Sequence, residues 1–174
     1  MRAYRPMITI RLLDAADAAP FQSLRLAAIR TSPTSFLPTE DEVAAVPVET
    51  FAAQITPTHT QAVFGAFDGE TLIGSTGVRR DAYAKVAHKA TIWGVYVDAA
   101  YRGRGIAQSL LEHAIAHAEH AWQCAQLMLC VNEFNATAER LYASLGFERF
   151  GTEPRSLCVD GRFYDEHHMV KRLA

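Results

Sequence analysis

With 174 residues, 49% of them hydrophobic and 21% charged, the chain can bury a full core without disulfide or metal staples. A balance of 17 Lys+Arg against 19 Asp+Glu, net charge −2, excludes a disordered polyelectrolyte and argues against nucleic acid as a partner. No apolar run approaches the roughly 20 residues of a membrane span, and residues 1–11 lack the apolar stretch of a secretory leader, so a cytoplasmic protein without a membrane partner is expected.

Taken in chain order, residues 7–13 alternate as a strand does. Asp14 can then cap a helix running to about Arg30, with Phe21, Leu24 and Ala28 on one face. Residues 31–60 hold four of the seven prolines and read as an irregular, partly helical connection, with a short helix at Val48–Ile55. This is the single shift in composition, so residues 1–174 read as one domain. Residues 61–67 and 71–78 are strands joined at Asp68-Gly69, a hairpin signal. Residues 90–97 form another strand, and residues 105–122 a long amphipathic helix with Ile106, Leu110, Ala114 and Ala118 on its buried face. The unbroken apolar run 125–131 reads as a strand covered on both faces. Residues 136–145 form a helix stopped by Gly146, and residues 147–159 and 162–171 are strands around Asp160-Gly161. The order gives an α/β (α+β) domain: a mixed sheet of about seven strands with helices packed on it.

The most informative stretch runs from Trp93 to Gln108. A strand ends near Val97, and Arg102-Gly103-Arg104-Gly105-Ile106-Ala107 then opens a helix. A helix N-terminus has N–H groups without internal partners and about half a positive charge. Gly103 and Gly105 let the backbone approach an anion, Arg102 and Arg104 add charge, and Ala107 leaves room against the first turn. The pattern suits a phosphate or pyrophosphate. It is not a Walker loop, which needs Lys-Ser/Thr after the last glycine. It is not a dinucleotide fingerprint either, because Gln108 stands where a third small residue belongs. A second constellation lies downstream. Asn135 stands at a helix start, where its amide can cap, and Tyr142 follows two turns later on the same face.

Arg102-x-x-Gly105-x-Ala107 after a strand, followed by Asn135, Tyr142 and Leu145-Gly146-Phe147, resembles the GNAT family of N-acetyltransferases. The resemblance runs from about Ile8 to the C-terminus. It implies an acyl-CoA N-acyltransferase-like fold, a mostly antiparallel twisted sheet with helices on both faces. It also implies acetyl-CoA as cosubstrate, no metal, and a small-molecule or peptide amine as acceptor. By position, the backbone of Val95 and Val97 would pair with the pantetheine arm where the strands splay apart. Residues 102–107 would cradle the pyrophosphate with Gln108 just beyond. Asn135 would bond the pantetheine arm, and Tyr142 would lie near the sulfur as the catalytic proton donor. An unperturbed phenol, near 10, and a thiol, near 8.5, make that donation close to balanced. The amine would attack directly in a ternary complex, with the backbone N–H near Val95 facing the developing oxyanion. An acyl-CoA-binding sensor without turnover is the rival reading.

Some relatives carry Glu where this chain has Cys130. The general base therefore stays open among Glu133, Asp98, Tyr96, His88 and a water chain, with Cys130 read as a core cysteine. His113, His117 and His120 share a helix face and read as solvated rather than metal-binding. Cys124, Cys130 and Cys158 read as reduced thiols without zinc spacing. Phe36, Tyr83, Trp93 and Tyr164 are candidate walls of an acceptor pocket. The C-terminal hairpin offers a sheet edge through which two copies could pair as a homodimer.

Overall fold

Asp14 sets the entrance to the helical half of the molecule. Its carboxylate accepts from the Ala16 N–H, and Asp17 accepts from the Asp14 N–H in a reciprocal capping box. Arg11 clamps Asp17 with two hydrogen bonds of 2.7 and 2.8 Å, and this pairing holds the Asp17 carboxyl below its usual range. The computed structural model describes residues 7–173. Residues 1–6 and 174, which belong to the single-domain expectation over 1–174, lie outside the described residues.

After this cap, α1 (Ala18–Thr31) leads through a short turn to α2 (Glu40–Ala44) and α3 (Val48–Ile55). The small α2 was not expected inside the Pro- and Thr-rich connection. Thr39 and Glu42 form its capping box, a local signal sufficient to start a helix of five residues. β1 (Ile8–Leu12), β2 (Gln61–Asp68), β3 (Thr71–Arg80) and β4 (Lys89–Val97) then form an antiparallel half-sheet. α4 (Ile106–Ala116) crosses to β5 (Gln126–Asn132), which lies parallel to β4. α5 (Ala136–Ser144) leads into the hairpin of β6 (Glu148–Val159) and β7 (Arg162–Arg172). The sheet order is β1-β2-β3-β4-β5-β7-β6, with β4–β5 the one parallel pair among the described strands.

Helices cover both faces, as the resemblance implied. One core gathers Phe21, Leu24, Phe51 and Ile55 of α1 and α3 against Val63, Phe67 and Tyr96. The other gathers Leu110, Leu111 and Ala114 of α4 with Tyr142 of α5 against Ile73, Ile92, Leu127 and Leu129. Two expectations are corrected. The long helix 105–122 ends as regular helix at Ala116 and widens into one turn at His117–Ala121. This turn carries His117 inward, its ring 4.8 Å from Trp122 and 5.6 Å from Phe64, so it is not on a solvated face. Burial pushes the His117 pKa down. Strand β5 is covered along one face, and on the other the buried Asn132 marks where cover begins. Leu127, Leu129 and Val131 are buried, whereas Cys130 is exposed.

Candidate active site

The parallel pairing of β4 with β5 lasts three residues. It holds Lys89, Ala90 and Thr91 against Gln126, Leu127 and Met128 and stops there. Just beyond, β4 carries a bulge. Trp93 pairs with Gly77 and Tyr96 with Ser75, so Gly94 and Val95 have no place in the β3 register. Gly94 has φ +64°, open to glycine at little cost, and the Arg25 guanidinium lies against it. Arg25 is packed under Phe36 and near Trp93, at 5.1 and 5.8 Å from guanidinium carbon to ring centre. Burial lowers its pKa, and its Nη1 has no hydrogen-bond partner. The bulge and the end of the parallel ladder open a cavity of about 610 Å³ between the two strands.

The N-terminus of α4 faces this opening. Gly105 is its N-cap, with φ +75°, and no side chain caps it. The first internal bond runs from Ser109 N–H to Gly105 C=O at 3.0 Å, which leaves the amides of Ile106, Ala107 and Gln108 without helical acceptors. A Cβ on Gly103 or Gly105 would meet nothing within 4 Å, so the space over the turn is open. Val95, Val97, Arg102, Gly103, Gly105, Ile106, Ala107, Gln108, Asn135 and Tyr142 all line the one cavity. Arg104 does not line it; its guanidinium bonds the Ala100 C=O at 3.2 Å and covers the Tyr101 ring. Arg102 Nε donates to the Val97 C=O at 3.0 Å, so that carbonyl already has a partner on its own strand's exit.

α5 supplies the next two groups. Asn135 caps the helix, its Oδ1 accepting from the Ala138 N–H at 3.2 Å, and still lines the cavity. Capping and ligand contact therefore do not exclude one another: the cap uses Oδ1 and leaves Nδ2. Tyr142 is buried with its ring edge-on to Phe147. Burial pushes its phenol up to about 12. It is fully protonated at neutral pH, and it is a weaker acid than the unperturbed phenol expected from sequence.

On the opposite face of β5, Cys130 and Asn132 alternate with Leu129 and Val131 and line the other end of the cavity, with Glu166 of β7. Asn132 Nδ2 donates to the Thr34 C=O at 3.1 Å, which ties the connection before α2 to the end of β5. Cys130 is not a core cysteine. Its Sγ lies 3.2 Å from His168 Nδ1, and burial together with the charges of Glu166 and Glu153 raises the thiol's pKa. The structure also redistributes the candidate bases. Glu133 accepts from the Asp165 N–H and Asp98 from the Ala100 N–H, both as loop ties, and Tyr96 shares its hydroxyl with Thr31. Glu133, Asp98 and His88 lie outside the cavity lining, whereas Glu166, absent from the sequence-based candidates, lies within it. Phe36 and Trp93 line the cavity; Tyr83 is exposed, and Tyr164 packs on Phe134.

Residues 26–147 match the family model described as the Acetyltransferase (GNAT) family, over more than half the chain. The chain belongs to this acetyltransferase family. N-alpha-acetyltransferase RimI of Mycobacterium tuberculosis is 32% identical over 115 residues, covering 66% of this chain and 69% of RimI. A Mycobacterium leprae protein is 35% identical over 97 residues, 56% of this chain. This chain spans 26% of that protein's length and 35% of yeast N-alpha-acetyltransferase 40. Among solved structures, yncA of Salmonella typhimurium, described with acetyl-CoA as its cofactor, superposes with a TM-score of 0.82 at 21% identity. The match covers 97% of this chain and 95% of that one, and it shows a shared fold. Among the described residues, no group of three His, Cys, Asp or Glu could hold a metal ion, and no helix is long and apolar enough to cross a membrane.

Proposed function

We propose that the protein is an N-acetyltransferase that moves an acetyl group from acetyl-CoA to a primary amine of a small molecule or peptide by direct attack. The observation that carries this reading is a cavity with three kinds of lining. It joins the unbonded amides at the start of α4, the opened β4–β5 pair and Tyr142. The residues fit such a carrier: open space over Gly103 and Gly105 and the N-terminal field of α4 suit a pyrophosphate. The unpaired backbone at Val95 suits an amide-bearing arm. Bound there, the carrier supplies an activated acetyl thioester.

The chain's own groups do the rest. Glu166 offers a carboxylate to an incoming ammonium at the open end of the cavity, and the amine attacks once its proton has left. The Val95 N–H, outside the sheet ladder, faces the oxygen that gains charge. Tyr142 donates its hydroxyl hydrogen to the departing sulfur. At about 12 the phenol is a weak acid for a free thiolate, but burial raises the pKa of a thiol leaving in the same cavity as well. The gap narrows, and a strong hydrogen bond suffices to stabilise the leaving group.

The test is an acceptor screen with acetyl-CoA, reading free thiol against a panel of amino acids, polyamines and peptide N-termini. Thiol release that depends on one amine class supports the reading. Tight acetyl-CoA binding with no release on any acceptor supports the sensor reading instead.

A further inference from the structure

Cys130, in the wall of the cavity, stands in a row with two further side chains that the proposed direct attack does not use. Cys130 on β5 and His168 on β7 are directly paired across the strands, and Glu153 on β6 completes the row. Sγ of Cys130 lies 3.2 Å from His168 Nδ1, and His168 Nε2 lies 3.0 Å from Glu153 Oε2. Cys130 lines the cavity. A nucleophile within hydrogen-bond reach of a base, with the base held by a third group, is the geometry that activates a weak nucleophile. The carboxylate of Glu153 assigns the imidazole hydrogen to Nε2 and leaves Nδ1 as the acceptor for the thiol.

We propose that Cys130 is an acyl-accepting thiol, deprotonated by His168 and positioned with it by Glu153. The inference rests on the acetyl-CoA reading above. As Sγ forms its bond to the acetyl carbonyl carbon, the Sγ–H proton passes to His168 Nδ1. The bond from that carbon to the carrier's sulfur breaks, and the carrier's thiolate takes the proton back. One thioester replaces another, nothing is oxidised or reduced, and free carrier thiol reverses the step. With no amine bound, the acetyl group rests on Cys130. Desolvation and the charges of Glu166 and Glu153 raise the thiol's pKa, so His168 is the group that draws the proton away as Sγ attacks.

Two readouts test this without an acceptor. Intact and peptide mass spectrometry after mixing with acetyl-CoA should show one hydroxylamine-labile acetyl group on Cys130. Labelled CoA should also exchange into unlabelled acetyl-CoA. Cys130→Ala should abolish both, and His168→Ala or His168→Gln should slow both by about 10²-fold. Glu153→Gln should slow exchange while half-saturation by acetyl-CoA stays unchanged, a split that a merely structural role would not give. The proposal is overturned if acetylation appears equally on the exposed Cys158, or if the His168 variants exchange at the wild-type rate. It is also overturned, with the N-acetyltransferase reading left standing, if wild-type protein acetylates an amine yet shows neither adduct nor exchange. Absence of acetyl-CoA binding by calorimetry would remove both.

Discussion

The two ends of the cavity are built from different materials. At the end proposed for the carrier, the groups on offer are main-chain amides, held in place by a glycine turn, a bulge and a helix start. At the end proposed for the acceptor, they are the side chains of Cys130 and Glu166, with His168 and Glu153 joined in a row to Cys130 from β7 and β6, all brought together by register. A backbone site is preorganised by local geometry and tolerates any side chain that leaves the turn intact. A side-chain site depends on each group keeping its rotamer and its partner. On the proposed reading the first takes a constant group and the second can change its chemistry strand by strand, and substitutions should separate them cleanly.

The largest effect is expected from Gly105→Asp. The residue has φ +75°, where a non-glycine costs about 1–2 kcal/mol, and the new carboxylate would enter the space proposed for phosphate. Acetyl-CoA affinity measured by calorimetry should fall by about 10²-fold or more. Gly105→Ala adds the same backbone strain without the charge and meets no atom within 4 Å; the strain falls on free and bound protein alike, so the melting temperature should drop while affinity falls far less than for Gly105→Asp. Equal losses for the two would mean that no anion lies over the turn.

Tyr142→Phe comes next, at the boundary between the two ends. Turnover should fall by about 10²-fold at unchanged acetyl-CoA affinity, read from steady-state kinetics and calorimetry together. The same variant has a pH signature. Burial raises the folded-state phenol from 10.0 to about 12, so the folded protein holds this proton after the unfolded chain has released it. The contribution is intact below pH 10 and is lost as pH rises toward about 12. Thermal melts across that range should fall less steeply for Tyr142→Phe than for wild type.

The contrast between the ends also decides what could be read from the chain. Gly103 and Gly105 lie two apart on one strand-to-helix turn, and Asn135 and Tyr142 lie seven apart on one helix, so each pair is placed by local geometry; only the parallel pairing of β4 with β5 brings the two pairs together. Cys130 and His168 are 38 positions apart, and His168 and Glu153 are 15 apart. Their meeting depends on β7 inserting between β5 and β6, and on register shifts between Arg149 and Gly151 and between Glu153 and Leu157. No local periodicity encodes either. Strand β5 shows the same limit. An apolar run tells that one face is buried, but the second face is covered only where Asn132 reaches Thr34, one step past Cys130. The one illegible feature at the carrier end is Arg104, whose charge the loop turns back onto Ala100 and Tyr101.

A charge at the acceptor end gives a smaller and more selective effect. Glu166→Gln keeps the shape and the hydrogen bond from Ser156 but removes the carboxylate charge. KM for a cationic amine should rise about tenfold, the range of one partly desolvated charged hydrogen bond, while acetyl-CoA affinity stays fixed. A matched rise for a neutral aromatic amine would show that Glu166 shapes the cavity without recognising charge.

Asn135 gives the smallest effect and tests whether the carrier end is made of main chain alone. Its Oδ1 stabilises α5 by accepting from Ala138, and its Nδ2 is the donor proposed for the carrier's arm. Asn135→Asp keeps the cap acceptor and adds a charge that the helix N-terminus favours, so the melting temperature should hold or rise slightly. The donor is lost, and acetyl-CoA affinity should drop about fivefold, the worth of one neutral hydrogen bond. Asn135→Ala loses the same donor and also the cap. It should show the same affinity loss with a melting temperature lower by about 2–4 °C, the shift of roughly 1 kcal/mol in a domain of this size. If Asn135→Asp binds acetyl-CoA as wild type does, the residue serves only as a cap, and the carrier end is held by the backbone without it.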